Sequence, residues 1–237
     1  MIKFLQGYPQ ILWIILVKLN RNYEASKVLI NLAFHDNVRS QRLEHLHLAK
    51  INATTSLMGG WTETRQDALD IIHRANFWIG IVKIQDNLLK EGETTDDGRY
   101  ISFKDLIERL IQKRGEFQDL AFSLVMEFKS FCTPEEYAEI SILKWKWLLE
   151  LEDWNKLSTN MEQPLSLASS QVPKIIEESD FGRMFVKELA IPEMEEHNRI
   201  RKDAAEAASL LRRDSGPFDY GSCADAIFST IDEYIQN

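Results

Sequence analysis

The chain has 237 residues, 44% of them hydrophobic, enough to fill a sizeable core. Its 37 acidic against 28 basic residues give a net charge of -9, which argues against a broad nucleic-acid face and against non-specific attraction to anionic lipid. Two cysteines, Cys132 and Cys223, stand far apart in no metal-ligand spacing; a disulfide framework is excluded, and a reducing, cytoplasmic setting is the expectation.

The apolar run at 11–17 (ILWIILV) is too short to span a bilayer and lacks a signal-peptide cleavage pattern. Pro9 suits a first helical turn, so a buried helix is expected from there to about Leu19. The alternative is that Leu12, Trp13, Ile15 and Leu16 offer an apolar surface to a partner or a membrane interface. Ala25, Val28, Leu29, Leu32 and Ala33 recur at helical steps, and Val38, Leu43, Leu46 and Ile51 continue them past an irregularity at Asp36 and Asn37. This segment is expected to stop near Asn52, because 53–60 (ATTSLMGG) is rich in β-branched residues and glycine.

The stretch 61–99 is the one around which the chain is organised. A helix capped by Thr62 or Thr64 carries Ala68, Ile71, Ile72, Ala75, Trp78, Ile79, Val82 and Leu89 on one face, with Leu69, Phe77, Ile81, Ile84 and Leu88 covering much of the rest. Apolar on most sides, it is expected inside the molecule. At about 100° per residue, Asn76, Lys83, Asn87 and Lys90 fall nearly on one line, facing either an internal cavity or solvent. The helix leads directly into the acids Asp86, Glu91, Glu93, Asp96 and Asp97.

Ser102 opens the next helix, whose period runs from Phe103 to Ile111, breaks at Arg114 and Gly115, and resumes from Phe117 to Phe128. Thr133, Pro134 and Glu136 form a capping box for a helix to about Trp154, whose tryptophans are read as core. The polar stretch 157–172 is the expected linker or mobile loop; Pro173 and Pro192 each start a further helix, and Ser222 with Asp225 caps a last one. The expected fold is all-α, a single globular bundle of roughly seven to nine helices around the central apolar one. The main bundle is placed at 1–156, the linker at 157–172, and C-terminal helices packing on the bundle at 173–237.

Residues 79–99 (IGIVKIQDNLLKEGETTDDGR) resemble the second acidic region of squalene and phytoene synthases, and with Lys50 upstream the stretch is similar to chain-elongating polyprenyl synthases. The resemblance implies a class I isoprenoid-synthase fold in which acidic helices hold Mg2+ and a prenyl diphosphate. Carried onto this chain, it implies Asp86, Glu91 and Asp96 as metal ligands and Lys83, Asn87 and Arg99 as diphosphate contacts. Glu91 stands where the family has an aspartate, and no catalytic residue is singled out.

Other short patterns compete. Asp36, Ser40 and Glu44 have the spacing of a terpene-cyclase metal triad, if one helix holds all three. Arg39 and His45 have the spacing of the phosphate-acting pair of HEPN ribonucleases, and Glu44 with His47 is half of a ferritin-like motif that lacks its second half. No P-loop, GxGxxG, GxSxG or HExxH pattern occurs. Two functions remain open: an isoprenoid-diphosphate-handling protein, Mg2+-dependent if active, as a prenyl transferase or terpene synthase, or a non-catalytic helical interaction or regulatory protein with a protein partner.

Overall fold

The computed structural model describes residues 7–59, 64–90, 98–151, 179–190 and 194–214. They form an all-α protein of nine helices, with one isolated β-bridge and no strand among the described residues. The chain divides into two compact units, Met1–Phe103 and Lys104–Asn237.

The first unit contains α1 (Pro9–Lys18), α2 (Asn22–His35), α3 (Arg39–Met58) and α4 (Arg65–Lys90). Pro9 occupies the first turn of α1, as its missing N-H allows. The chain then reverses through Asn20, whose φ of 58° is left-handed backbone that asparagine tolerates. Helices α2 and α3 pack on each other, and α4 packs mainly on α3. The core between them holds Leu29, Leu46, Ala49, Ala53, Ala75, Ile81 and Val82, all without measurable exposure.

Two sequence expectations change here. The segment expected to end near Asn52 continues to Met58. Its hydroxyls are absorbed into the helix: Thr54 and Thr55 donate to the carbonyls of Lys50 and Ile51, each at 2.9 Å, and Ser56 donates to that of Ala53 at 2.7 Å. Packing of Asn52, Ala53 and Ser56 into the core overrides their weak helix propensity. Second, α4 is not enclosed by the fold: Arg65, Gln66, Asp70, His73, Asn76, Lys83 and Asn87 are exposed, while Ala68, Phe77, Trp78, Ile79 and Gln85 are buried.

Helix α5 (Phe103–Lys113) begins on the last residue of the first unit and otherwise belongs to the second, with α6 (Glu116–Phe128), α7 (Pro134–Leu151), α8 (Asp180–Leu189) and α9 (Met194–Asp214). The break at Arg114 and Gly115 is real, and both residues have φ near 60°, which glycine adopts freely. The capping box forms in both directions, Glu136 N-H donating to Thr133 Oγ1 at 3.2 Å and Thr133 N-H to Glu136 Oε2 at 2.9 Å. Trp145, fully buried, is the aromatic hub: Phe122, Phe181 and Phe185 meet it edge-on at 5.1, 5.6 and 5.7 Å between ring centres. Helix α8 starts where Ser179 Oγ accepts from Gly182 N-H at 2.8 Å. The expected linker at 157–172, the helix start at Pro173 and the last helix at 222–235 lie outside the described residues.

Candidate functional site

The residues singled out in the first unit meet around the start of α3. Helix α2 ends at His35, Asp36 is its C-cap, and Val38 is extended before α3 begins. Val38 makes an antiparallel bridge with Arg99, flanked by Arg39 N-H to the Gly98 carbonyl at 2.9 Å and Tyr100 N-H to the Asn37 carbonyl at 2.7 Å. Gly98, with φ of 73°, supplies the left-handed turn that leads into this pairing. Gly98, Arg99 and Tyr100 are thereby laid across the junction of α2 and α3.

Side chains clasp the same segment. Arg39 donates through Nε to Asp86 Oδ1 at 2.8 Å and through Nη1 to the Arg99 carbonyl at 2.7 Å. Gln85, buried on α4, satisfies both backbone groups of Ile101, donating to its carbonyl at 2.7 Å and accepting from its N-H at 3.0 Å. An amide side chain thus takes the place of a neighbouring strand. Arg42 donates to the Phe34 carbonyl at 3.0 Å, answering an end-of-helix acceptor, and its guanidinium lies 3.5 Å from the centre of the Tyr100 ring. Burial pushes the Tyr100 phenol up, against the opposing charge of Arg42.

This geometry places several of the residues singled out in the sequence. Asp36 is not on the same helix as Ser40 and Glu44, so the triad premise of one helical face fails; Asp36 Oδ2 pairs instead with His45 Nδ1 at 2.6 Å. Arg39 and His45 hold different carboxylates, Asp86 and Asp36. Asn76, Lys83 and Asn87 are exposed along α4, which is the solvent-side alternative for that polar line; the Lys90 side chain lies outside the described residues. Arg99 is exposed, with its carbonyl in the clasp. Glu91 and Asp96 lie outside the described residues. Among the described residues no group of three or more His, Cys, Asp or Glu side chains has metal-holding geometry, and Asp86, 37% exposed, is already bonded to the guanidinium of Arg39.

A half-open cleft of about 640 Å3 lies at the other end of α3, lined among others by Asn20, Tyr23, Thr55, Met58 and Thr64, not by the polar line of α4. Tyr23 Oη donates to Asp67 Oδ2 at 2.8 Å there. Partial burial, with the bond to Asp67 and its charge, pushes the phenol from its ordinary 10.0 up to about 12. A raised folded pKa means that the stabilisation is complete below pH 10.0 and lost as the pH rises to about 12. In a spectrophotometric alkaline titration, Tyr23→Phe is expected to lack one phenol ionising near pH 12.

The second unit holds a buried ionic array that sequence reading missed. Tyr137, Ser141 and Lys144 line one face of α7; Glu196, Arg199 and Asp203 line one face of α9; Glu188 comes from α8. Lys144 Nζ sits 2.5 Å from Glu188 Oε1, with the side chains 1% and 6% exposed, and lies 4.3 Å from the centre of the Phe122 ring. Arg199 contacts Glu196 and donates to Tyr137 Oη at 2.9 Å, while Lys129 reaches Glu196 at 3.0 Å. Burial pushes Lys144 down, opposed by Glu188, and pushes Asp203 up, opposed by the Ser141 hydroxyl and Arg199. The signal in the sequence is polar residues at steps of four and three inside apolar helices, with Lys144 set beside Trp145.

No protein-family model, curated protein or solved structure matches the chain.

Proposed function

We propose that this chain works as a non-catalytic helical interaction protein, and that the charged groups around Arg99 secure its fold. The observation that carries the reading is the engagement of Asp86 by Arg39, on an α4 whose Asn76, Lys83 and Asn87 look outward. A carboxylate that binds Mg2+ and substrate diphosphate needs neighbouring oxygen donors and a cavity beside it. Here the buried flank of α4 is filled by Phe77, Trp78 and Phe103, whose rings meet edge-on at 5.2 to 5.9 Å. Apolar packing and backbone-to-side-chain bonds on this flank support a structural role for it.

A thermal-shift screen of the full chain with Mg2+ and prenyl diphosphates of increasing length tests this. The expected result is no shift with any of them, because only a ligand that binds the native state raises stability. A Mg2+-dependent rise that Asp86→Ala abolishes overturns the reading in favour of isoprenoid-diphosphate chemistry.

A further inference from the structure

Helix α1 has an apolar face that the fold leaves open. Leu12 and Leu16 are buried against Ala25, with Trp13, Val17 and Val28 packed around them. On the opposite side Ile11 is 51% and Ile14 40% exposed, with Lys18 one turn further along the same stripe and Tyr8 exposed just before the helix. A surface helix of a globular protein ordinarily turns polar residues outward at these positions. The membrane-facing alternative read from the sequence rested on Leu12, Trp13, Ile15 and Leu16; Leu12 and Leu16 are core, and the open stripe is Ile11 and Ile14.

Charge selects what covers this stripe. Although the net charge is -9, the described residues from Gly7 to Tyr23 carry Lys18 and Arg21 and no acid. Arg21 is paired with Glu24, which leaves Lys18 as the cation beside the exposed isoleucines. Screening confines electrostatic attraction to about 10 Å at ordinary salt, so the lysine next to the stripe counts for more than a distant excess of acids. A second copy docked through this ten-residue helix alone would bury far less than the roughly 800 Å2 per partner of a standard interface. A lipid surface has no such minimum, since apolar side chains and a neighbouring lysine act there in parallel.

We propose that α1 is an interfacial anchor that lays Ile11 and Ile14 into the headgroup boundary of an anionic bilayer, with Lys18 at the phosphates. This deepens the interaction reading and rests on it.

Co-sedimentation of the full chain with vesicles tests it, using phosphatidylcholine alone and roughly seven parts phosphatidylcholine to three of phosphatidylserine. Binding is expected to the mixed vesicles, weaker in about 0.5 M salt than in about 0.1 M. The double variant Ile11→Ser/Ile14→Ser, with an unchanged circular dichroism spectrum, is expected to bind about tenfold or more weakly, and Lys18→Glu to weaken binding to the mixed vesicles alone. No sedimentation with either vesicle overturns the proposal, as does equal binding by the double variant. A lipid-free dimer that the double variant splits also overturns it and assigns the stripe to a second copy. Failure with vesicles while the Mg2+ and prenyl diphosphate screen stays silent removes only the anchor; a Mg2+-dependent shift removes the interaction reading itself.

Discussion

Glu188→Ala is expected to lower the unfolding free energy by about 3–5 kcal/mol, because it strips the partner from a charge held out of water. Lys144 is 1% exposed and its ammonium has Glu188 at 2.5 Å, with aromatic faces of Phe122 and Trp145 on other sides. Asp203 and Arg199 act on it from α9 with opposite signs, and Glu188 bonds it directly. The pH dependence has a definite sign. A lysine whose folded pKa is lowered binds fewer protons folded than unfolded, so stability rises with pH from the folded value up to the ordinary 10.5. The deficit of Glu188→Ala is therefore expected to shrink as the pH rises toward 10.5. Replacing both partners, as Lys144→Met with Glu188→Leu, is expected to be neutral or stabilising, since the desolvation cost of both ions disappears. Urea unfolding followed by circular dichroism checks the series. A loss below about 1 kcal/mol in Glu188→Ala would mean that Lys144 reaches water and that α8 is not seated on this pair.

Arg39→Ala is expected to cost about 2–4 kcal/mol. The arginine stands in the first turn of α3, where the positive end of the helix dipole disfavours a cation by about 0.3–1 kcal/mol. It is nonetheless buried, because Asp86 and the Arg99 carbonyl accept from separate nitrogens of one guanidinium. Relief of the dipole conflict trims the loss without cancelling it. Lysine cannot serve both acceptors with a planar fork, so Arg39→Lys is expected to recover little of the stability. Amide exchange at Tyr100 and Ile101 is the local readout: their N-H groups bond to Asn37 and Gln85 across the clasp, and both should exchange faster in Arg39→Ala.

Much of the fold was legible because helices declare themselves through period and caps. The Thr133 capping box, the break at Arg114 and Gly115, and the Pro9 start all fall where the sequence puts them. The misreadings share one cause, which is tertiary contact outweighing local preference. Thr54, Thr55 and Ser56 look like helix breakers until their hydroxyls turn back onto the helix and the face they share with Ala53 is buried. Asp36, Ser40 and Glu44 look like one face until the Val38–Arg99 bridge, a contact between residues distant in sequence, interrupts the helix. The candidate site was legible as a region but not as a wiring. The sequence marks out Asp86 and Arg99, whereas Arg39 stands out only through its spacing to His45, and Gln85 is one amide in an apolar run. Spacing along one helix cannot tell which acid a distant arginine selects.

The account turns on whether Asp86 belongs to Arg39 or to a metal, and a double-mutant cycle separates the two. Unfolding free energies of the native chain, Arg39→Ala, Asp86→Ala and the double variant, each measured with Mg2+ and with chelator, give the coupling between the two side chains. A coupling of about 1 kcal/mol or more, identical in Mg2+ and chelator, is the predicted result for a partly exposed charge-assisted bond. Coupling near zero, or stabilisation by Mg2+ that disappears with Asp86, would contradict it.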